Sequence, residues 1–258
     1  MIKGQQIFIE HFADFQDCYV VIGGLAVDVL MDEQAVPFRV TKDFDIILLV
    51  EALRPEFFEK FWEFIQAGNY QKKETSEGPR KYYRFINPQT EDYPHQIELF
   101  SRKPDTIPEI EGHHLVPIPA DEEISSLSAI LMDEDYYELT KSNTRIIDGL
   151  RIASEPLLIC LKVKAFTDLS SKKEEGEKVD SKDIKKHKND VFRLAVTMTG
   201  DEKIEIPESI MNDLETFYKM IKEESPDIKN LLKSMGIATS ISTGEILDVI
   251  KSIYTKKQ

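Results

Sequence analysis

Cysteine is scarce in this chain. Cys18 and Cys160 are the two among 258 residues, each set among apolar neighbours and far from the other in sequence. A disulfide framework cannot organise such a chain, and both residues read as buried thiols of a reducing compartment. Also missing is any apolar run near the roughly 20 residues needed to span a bilayer. The opening segment, Met1-Ile2-Lys3-Gly4-Gln5-Gln6, leads into mixed polar and aromatic sequence without the apolar stretch of a signal peptide. These absences give the expectation of a cytoplasmic protein with no membrane partner. Positive charge is in deficit as well: 33 lysines and arginines face 47 acids, a net charge of −14. That argues against coating nucleic acid without specificity, because phosphate binding needs a positive surface. One local exception runs from Lys172 to Lys188, where seven lysines and His187 are interleaved with five acids. Its first half reads as a solvated, charged loop. With 41% hydrophobic and 31% charged residues, the chain is long enough to bury one large core or two smaller ones.

What is present centres on Thr41-Lys42-Asp43-Phe44-Asp45, followed by the aliphatic run Ile46-Ile47-Leu48-Leu49-Val50. Such a run predicts a buried strand, and strand alternation puts Asp43 and Asp45 on one face with Phe44 on the other. Two neighbouring carboxylates repel unless a cation lies between them, and a hard divalent ion such as Mg²⁺ suits them. The plain alternative is a solvated edge strand.

Upstream, residues 5 to 16 carry apolar side chains at helical spacing, and Cys18 to Ile22 read as a short strand ending in Gly23-Gly24. Leu25 to Leu30 then repeat at helical period. Paired glycines allow a sharp turn and close approach of a ligand, and the following helix N-terminus attracts an anion. The expected order is strand, Gly-Gly turn, helix, a loop with Pro37 and Arg39, and the acidic strand. Residues 55 to 66 predict an amphipathic helix opened by Pro55, its aromatic stripe packing on a sheet. Residues 81 to 86 and 96 to 100 read as strands joined by a turn at Asn87-Pro88. Glu98, between Ile97 and Leu99, is an acid inside a buried strand, a costly placement unless it is paired or binds a metal. An ion pair with Arg102 is the alternative partner.

Val21-Ile22-Gly23-Gly24, then Asp43-Phe44-Asp45, then Ile97-Glu98-Leu99 together resemble the three-part signature of the polymerase-β-like nucleotidyltransferase superfamily. Within it the chain looks most like the AbiEii/AbiGii group, the toxins of type IV toxin–antitoxin and phage-exclusion systems. Two features differ: Leu25 stands where members commonly carry Ser or Thr, and the eighteen residues from 25 to 42 suggest an inserted loop near Asp32 to Pro37. The resemblance implies transfer of a nucleoside monophosphate from an NTP to an acceptor, with two Mg²⁺ ions held by Asp43, Asp45 and Glu98. Gly23 and Gly24 would admit the phosphates, and Lys42 is a weaker phosphate candidate because alternation turns it away from Asp43. It also implies an RNA acceptor such as tRNA, and a cognate antitoxin as protein partner. An acidic chain would equally attract a cationic small molecule, so an antibiotic nucleotidyltransferase is an alternative. A catalytically silent nucleotide-binding or interaction module is another.

The region from Val116 to Ala153 is less legible. Ser126 to Leu131 fits a strand or a helix start, Asp133 to Asp135 fit a helix cap, and Arg145 to Ile152 read as a strand with a bend. From Glu155 the pattern becomes helical, with Pro156 in the first turn and Lys162 and Lys164 interrupting an apolar stretch. A lysine on a buried face needs a partner or an anion. By the resemblance, Leu161-Lys162-Val163-Lys164-Ala165 is the family's lysine-bearing helix and contacts the NTP phosphates. Ser181 to Leu194 read as a helix capped by Ser181, after a mobile linker over Ser170 to Asp180. It resembles the family's Lys-Asp-x-x-Asp element, with Lys186 and Asp190 matching and His187 replacing the first Asp. Helices are expected near 207–223, 226–235 and 243–254. The expected architecture is an α/β (α+β) nucleotidyltransferase core with a mixed sheet over residues 1–154, followed by a helical C-terminal domain over 155–258.

Overall fold

The computed structural model describes residues 2–39, 41–72, 82–101, 130, 133–224, 226, 228–237 and 241–257. The fold is mixed α/β, and the chain divides into two compact units. One comprises Met1–Val29, Val40–Asp121 and Thr144–Ala153; the other comprises Leu30–Arg39, Glu122–Asn143 and Ser154–Gln258. The second unit therefore gathers segments 30–39 and 122–143, which a single cut after residue 154 would leave in the first. Side-chain bonds account for this: Arg39 pairs with Asp190, and the Tyr136 hydroxyl donates to Asp213.

In the first unit, among the described residues, seven strands form one mixed sheet. They are β1 (Tyr19–Ile22), β2 (Asp43–Leu48), β3 (Gln71–Lys72), β4 (Tyr82–Ile86), β5 (Gln96–Ser101), β6 (Thr144–Ile147) and β7 (Leu150–Ala153), in spatial order β3-β4-β5-β2-β1-β7-β6. β2 lies antiparallel to β1 and parallel to β5, and β4 lies antiparallel to β5. The run Asp43 to Leu48 becomes a central strand because all but its two acids are buried. Alternation sends Phe44, Ile97 and Phe85 to one face, where helix α1 (Gln5–His11) and helix α3 (Pro55–Ala67) cover them. Phe8 lies 5.5 Å from Phe44, and Phe61 lies 5.5 Å from Phe85, between ring centroids. The aromatic stripe of α3 is thus core, with Phe57, Phe61, Trp62 and Phe64 buried.

Local readings needed correction at two places in this unit. The glycine pair does not precede a helix but opens it: α2 runs from Gly23 to Glu33. Arg145 to Ile152 is not one bent strand but the hairpin β6–β7, because Asp148 and Gly149 both adopt positive φ (49° and 84°), as a two-residue hairpin turn requires. Ser126 to Leu131 lies outside the described residues, apart from helical Ile130.

The second unit is mainly helical: α4 (Glu134–Ser142), α5 (Glu155–Glu174), α6 (Ser181–Val196), α7 (Glu208–Glu224), α8 (Lys229–Ser234) and α9 (Thr243–Ile253). α5 is buried along most of its length and packs on α6 and α7, with Phe166 and Phe192 both against Phe217. Asp133 caps α4 through the amides of Asp135 and Tyr136, the capping role expected of that acidic cluster. Two local expectations are replaced. α5 continues to Glu174 and shortens the linker, and Asp180 rather than Ser181 caps α6 by accepting from the Lys182 amide. A two-stranded parallel sheet, β8 (Ile204–Ile206) with β9 (Tyr254–Lys256), accompanies the helices and was not foreseen. Among the described residues, no helix is long and apolar enough to cross a membrane.

Candidate active site

The acidic strand meets its expected neighbours at the ends of β1, β2 and β5. In register, Asp45 stands opposite Glu98 across the parallel β2–β5 pair, and opposite Ile22 across the antiparallel β1–β2 pair. Residues paired in register share a sheet face, so Asp45 and Glu98 project from the same side, and Asp43 joins them two residues along. Asp43 and Asp45 are half-buried, while Glu98 is 5% exposed.

Gly23 completes the arrangement. Its φ of +67° is a left-handed conformation, and a Cβ there would collide with Asp45 Oδ2. Only glycine lets the start of α2 lie against the Asp45 carboxylate. Gly24 follows inside the helix and is buried. Lys42 is exposed just ahead of β2.

Glu98 is engaged from the side away from Asp45. Arg84, its register partner on β4, donates Nε–H to Glu98 Oε1 at 2.6 Å, and Gln96 Nε2 donates to the same oxygen at 2.8 Å. The alternative partner suggested by sequence, Arg102, lies outside the described residues. Neither Arg84 nor Gln96 was singled out beforehand. Each shares the face of Glu98, but a register between β4 and β5 cannot be read from composition.

Asp43, Asp45 and Glu98 form an all-carboxylate donor set of the hard-oxygen kind that suits Mg²⁺. In donor chemistry, with Gly23 letting the start of α2 lie against the Asp45 carboxylate, this set fits the expected ion. Among the described residues, no three Asp, Glu, His or Cys side chains already stand close enough to hold a metal. Glu98 is held on Arg84 and Gln96.

The remaining sequence candidates lie in the second unit. Asp190 is fully buried and meets three cations: Arg193 Nη1 at 3.0 Å, Arg39 Nη2 at 3.4 Å and Lys162 Nζ at 3.6 Å. The Phe38 ring takes the guanidinium carbons of Arg39 and Arg193 at 5.1 and 5.7 Å. Lys162, itself buried, therefore shares its place with a carboxylate. Lys164 is half-buried between Asp168 (3.1 Å) and Asp213 (3.3 Å). Burial pulls its ammonium pKa down, and these two carboxylates outweigh that, leaving it above the ordinary value. Lys186 is half-buried one turn before Asp190, and His187 is buried rather than at the surface. Arg39 and Asp213 had no sequence signal, since their partners are set by tertiary packing, whereas Arg193 stands three residues after Asp190 on one helix, a spacing that signals such a pair.

No family model matches the chain, and no curated protein matches it.

Proposed function

We propose that the chain is a metal-dependent nucleotidyltransferase that moves a nucleoside monophosphate from an NTP to an acceptor. The observation that carries this reading is the register of Asp45 with Glu98, two residues from Asp43, with Gly23 fitted against the Asp45 carboxylate. The mixed sheet and the order of glycine pair, paired acids and third acid support the same reading.

Asp43 and Asp45 would hold two Mg²⁺ ions, with Glu98 completing the second site. When bound, such ions stabilise the attacking and leaving oxygens of an in-line displacement at phosphorus. Gly23 and Gly24 would admit the triphosphate beside the N-terminus of α2, where helix-end amides favour anions. Glu98 would also orient the acceptor hydroxyl and accept its proton. Lys42, exposed ahead of β2, is a secondary phosphate contact. Lys162 and Lys164 keep the phosphate-binding role, and Lys186 and Asp190 the substrate-binding role, that the resemblance implies only as proposals, because Lys162 and Lys164 already meet carboxylates. RNA, with tRNA first, is the proposed acceptor class, and an antitoxin the proposed protein partner, as for AbiEii-like toxins. A second reading, a catalytically silent nucleotide-binding module, is favoured by the Arg84–Glu98 pair, which occupies the third carboxylate.

The test incubates the protein with Mg²⁺, each α-³²P-labelled NTP and total cellular RNA, beside an Asp43→Ala/Asp45→Ala control and an EDTA control. Label entering RNA only with the intact pair and the metal is the expected result. Nucleotide binding without label transfer to any acceptor moves the assignment to the silent module.

A further inference from the structure

β5 lies between β2 and β4, so Glu98 has a carboxylate neighbour on one side and a cation on the other. Across β2–β5 it faces Asp45, with which it would share a metal; across β4–β5 it faces Arg84. Neighbouring strands lie about 4.8 Å apart, so a glutamate side chain on the central strand can turn toward either one. Its Oε1 takes the Arg84 Nε–H from β4 and the Gln96 amide from two residues back on β5 itself. A carboxylate only 5% exposed requires such a counter-ion whenever no other cation is present.

We propose that Glu98 is a two-position carboxylate, held away from Asp45 by Arg84, and that a divalent cation beside Asp43 and Asp45 draws it across. This rests on the metal-dependent reading of the same site. Arg84 is then a positioning residue whose pull on Glu98 sets the site's metal affinity. Breaking that ion pair opposes every binding event, so the pair keeps affinity lower than the three carboxylates alone would give. A merely structural cross-strand bridge would behave otherwise: loss of the Arg84 charge would raise metal affinity as much in the Glu98→Gln background as in the unaltered one, and metal would not move the Arg84 signal.

Mn²⁺ alone serves as the probe, its binding followed by the loss of free-ion electron paramagnetic resonance signal. Arg84→Met, which keeps the bulk and discards the charge, is expected to bind Mn²⁺ about tenfold tighter than the unaltered protein, the equivalent of one charge-assisted bond. Arg84→Met/Glu98→Gln is expected to bind no tighter than Glu98→Gln. Should Arg84→Met not fold, the unaltered protein gives a second readout. Its ¹⁵N-edited Arg84 Nε–H signal should move and exchange faster with water as diamagnetic Mg²⁺ is added. Unchanged or weaker Mn²⁺ affinity in Arg84→Met, or a stationary Arg84 signal at Mg²⁺ concentrations that saturate the site, overturns the two-position proposal while leaving the metal site standing. Absence of Mn²⁺ binding to the unaltered protein removes both.

Discussion

Two acidic clusters in this chain are built in opposite ways. In the helical unit, one fully buried carboxylate, Asp190, is met by Arg39, Lys162 and Arg193. On the sheet, Asp43 and Asp45 stand half-buried at a strand's start beside Glu98, and the cation seen on Glu98, Arg84, approaches from the far strand. A carboxylate surrounded by cations inside a core holds elements together, and removing it strands buried charge. Carboxylates set side by side at the end of a sheet repel one another, which is poor for stability and suited to binding a cation. The comparison separates residues that hold the fold from residues proposed to carry chemistry.

Substitutions should break along that line. Asp190→Ala leaves three cations without their shared partner and is expected to cost about 3–5 kcal/mol, read from the urea midpoint. Phe44→Ala empties a core position between the two acids of the same strand and should cost a similar or slightly smaller amount, about 3–4 kcal/mol. Next, Gly23→Ala must adopt a left-handed conformation and displace the Asp45 carboxylate. Its strain is expected to cost about 1–3 kcal/mol, with loss of nucleotide transfer exceeding what the stability change explains. Asp45→Asn, by contrast, should change stability by less than about 1 kcal/mol while abolishing transfer. If Asp45→Asn unfolded the protein as Asp190→Ala does, the division between the clusters would collapse.

The smallest effect expected concerns the thiols. Burial pushes both Cys18 and Cys160 up to about 12, so neither is a thiolate at neutral pH. Both are also closed to solvent. A thiol reagent at pH 8 is expected to leave the native protein untouched and to label two residues after unfolding.

Elements set by local pattern were legible in the sequence. The strand at Asp43, the Pro55 and Glu155 helices and the capping role of Asp133 follow from alternation, helical period and cap chemistry, all of which act within a few residues. The features that escaped depend on distant partners. Ile204 pairs with Tyr254 across fifty residues, and each strand has only three residues from which to signal it. Arg39 reaches Asp190 from 151 positions away. At the site, the sequence supplied Asp43, Asp45 and Glu98 and the shared face of the first two. Which cation would meet Glu98 depended on the β4–β5 register, which placed Arg84 there. Cap positions moved by one residue at Asp180, as is usual where two adjacent residues can both cap.

Transfer of a nucleotidyl group is the role proposed for the carboxylates of β2 and β5. It is tested most directly by supplying the same NTP, with Mg²⁺ and cellular RNA, labelled once at the α-phosphorus and once at the γ-phosphorus. The α-label is expected to enter the acceptor and the γ-label to leave as pyrophosphate, and Asp45→Asn is expected to abolish both. Entry of the γ-label instead, or α-label transfer that survives Asp45→Asn, would contradict it.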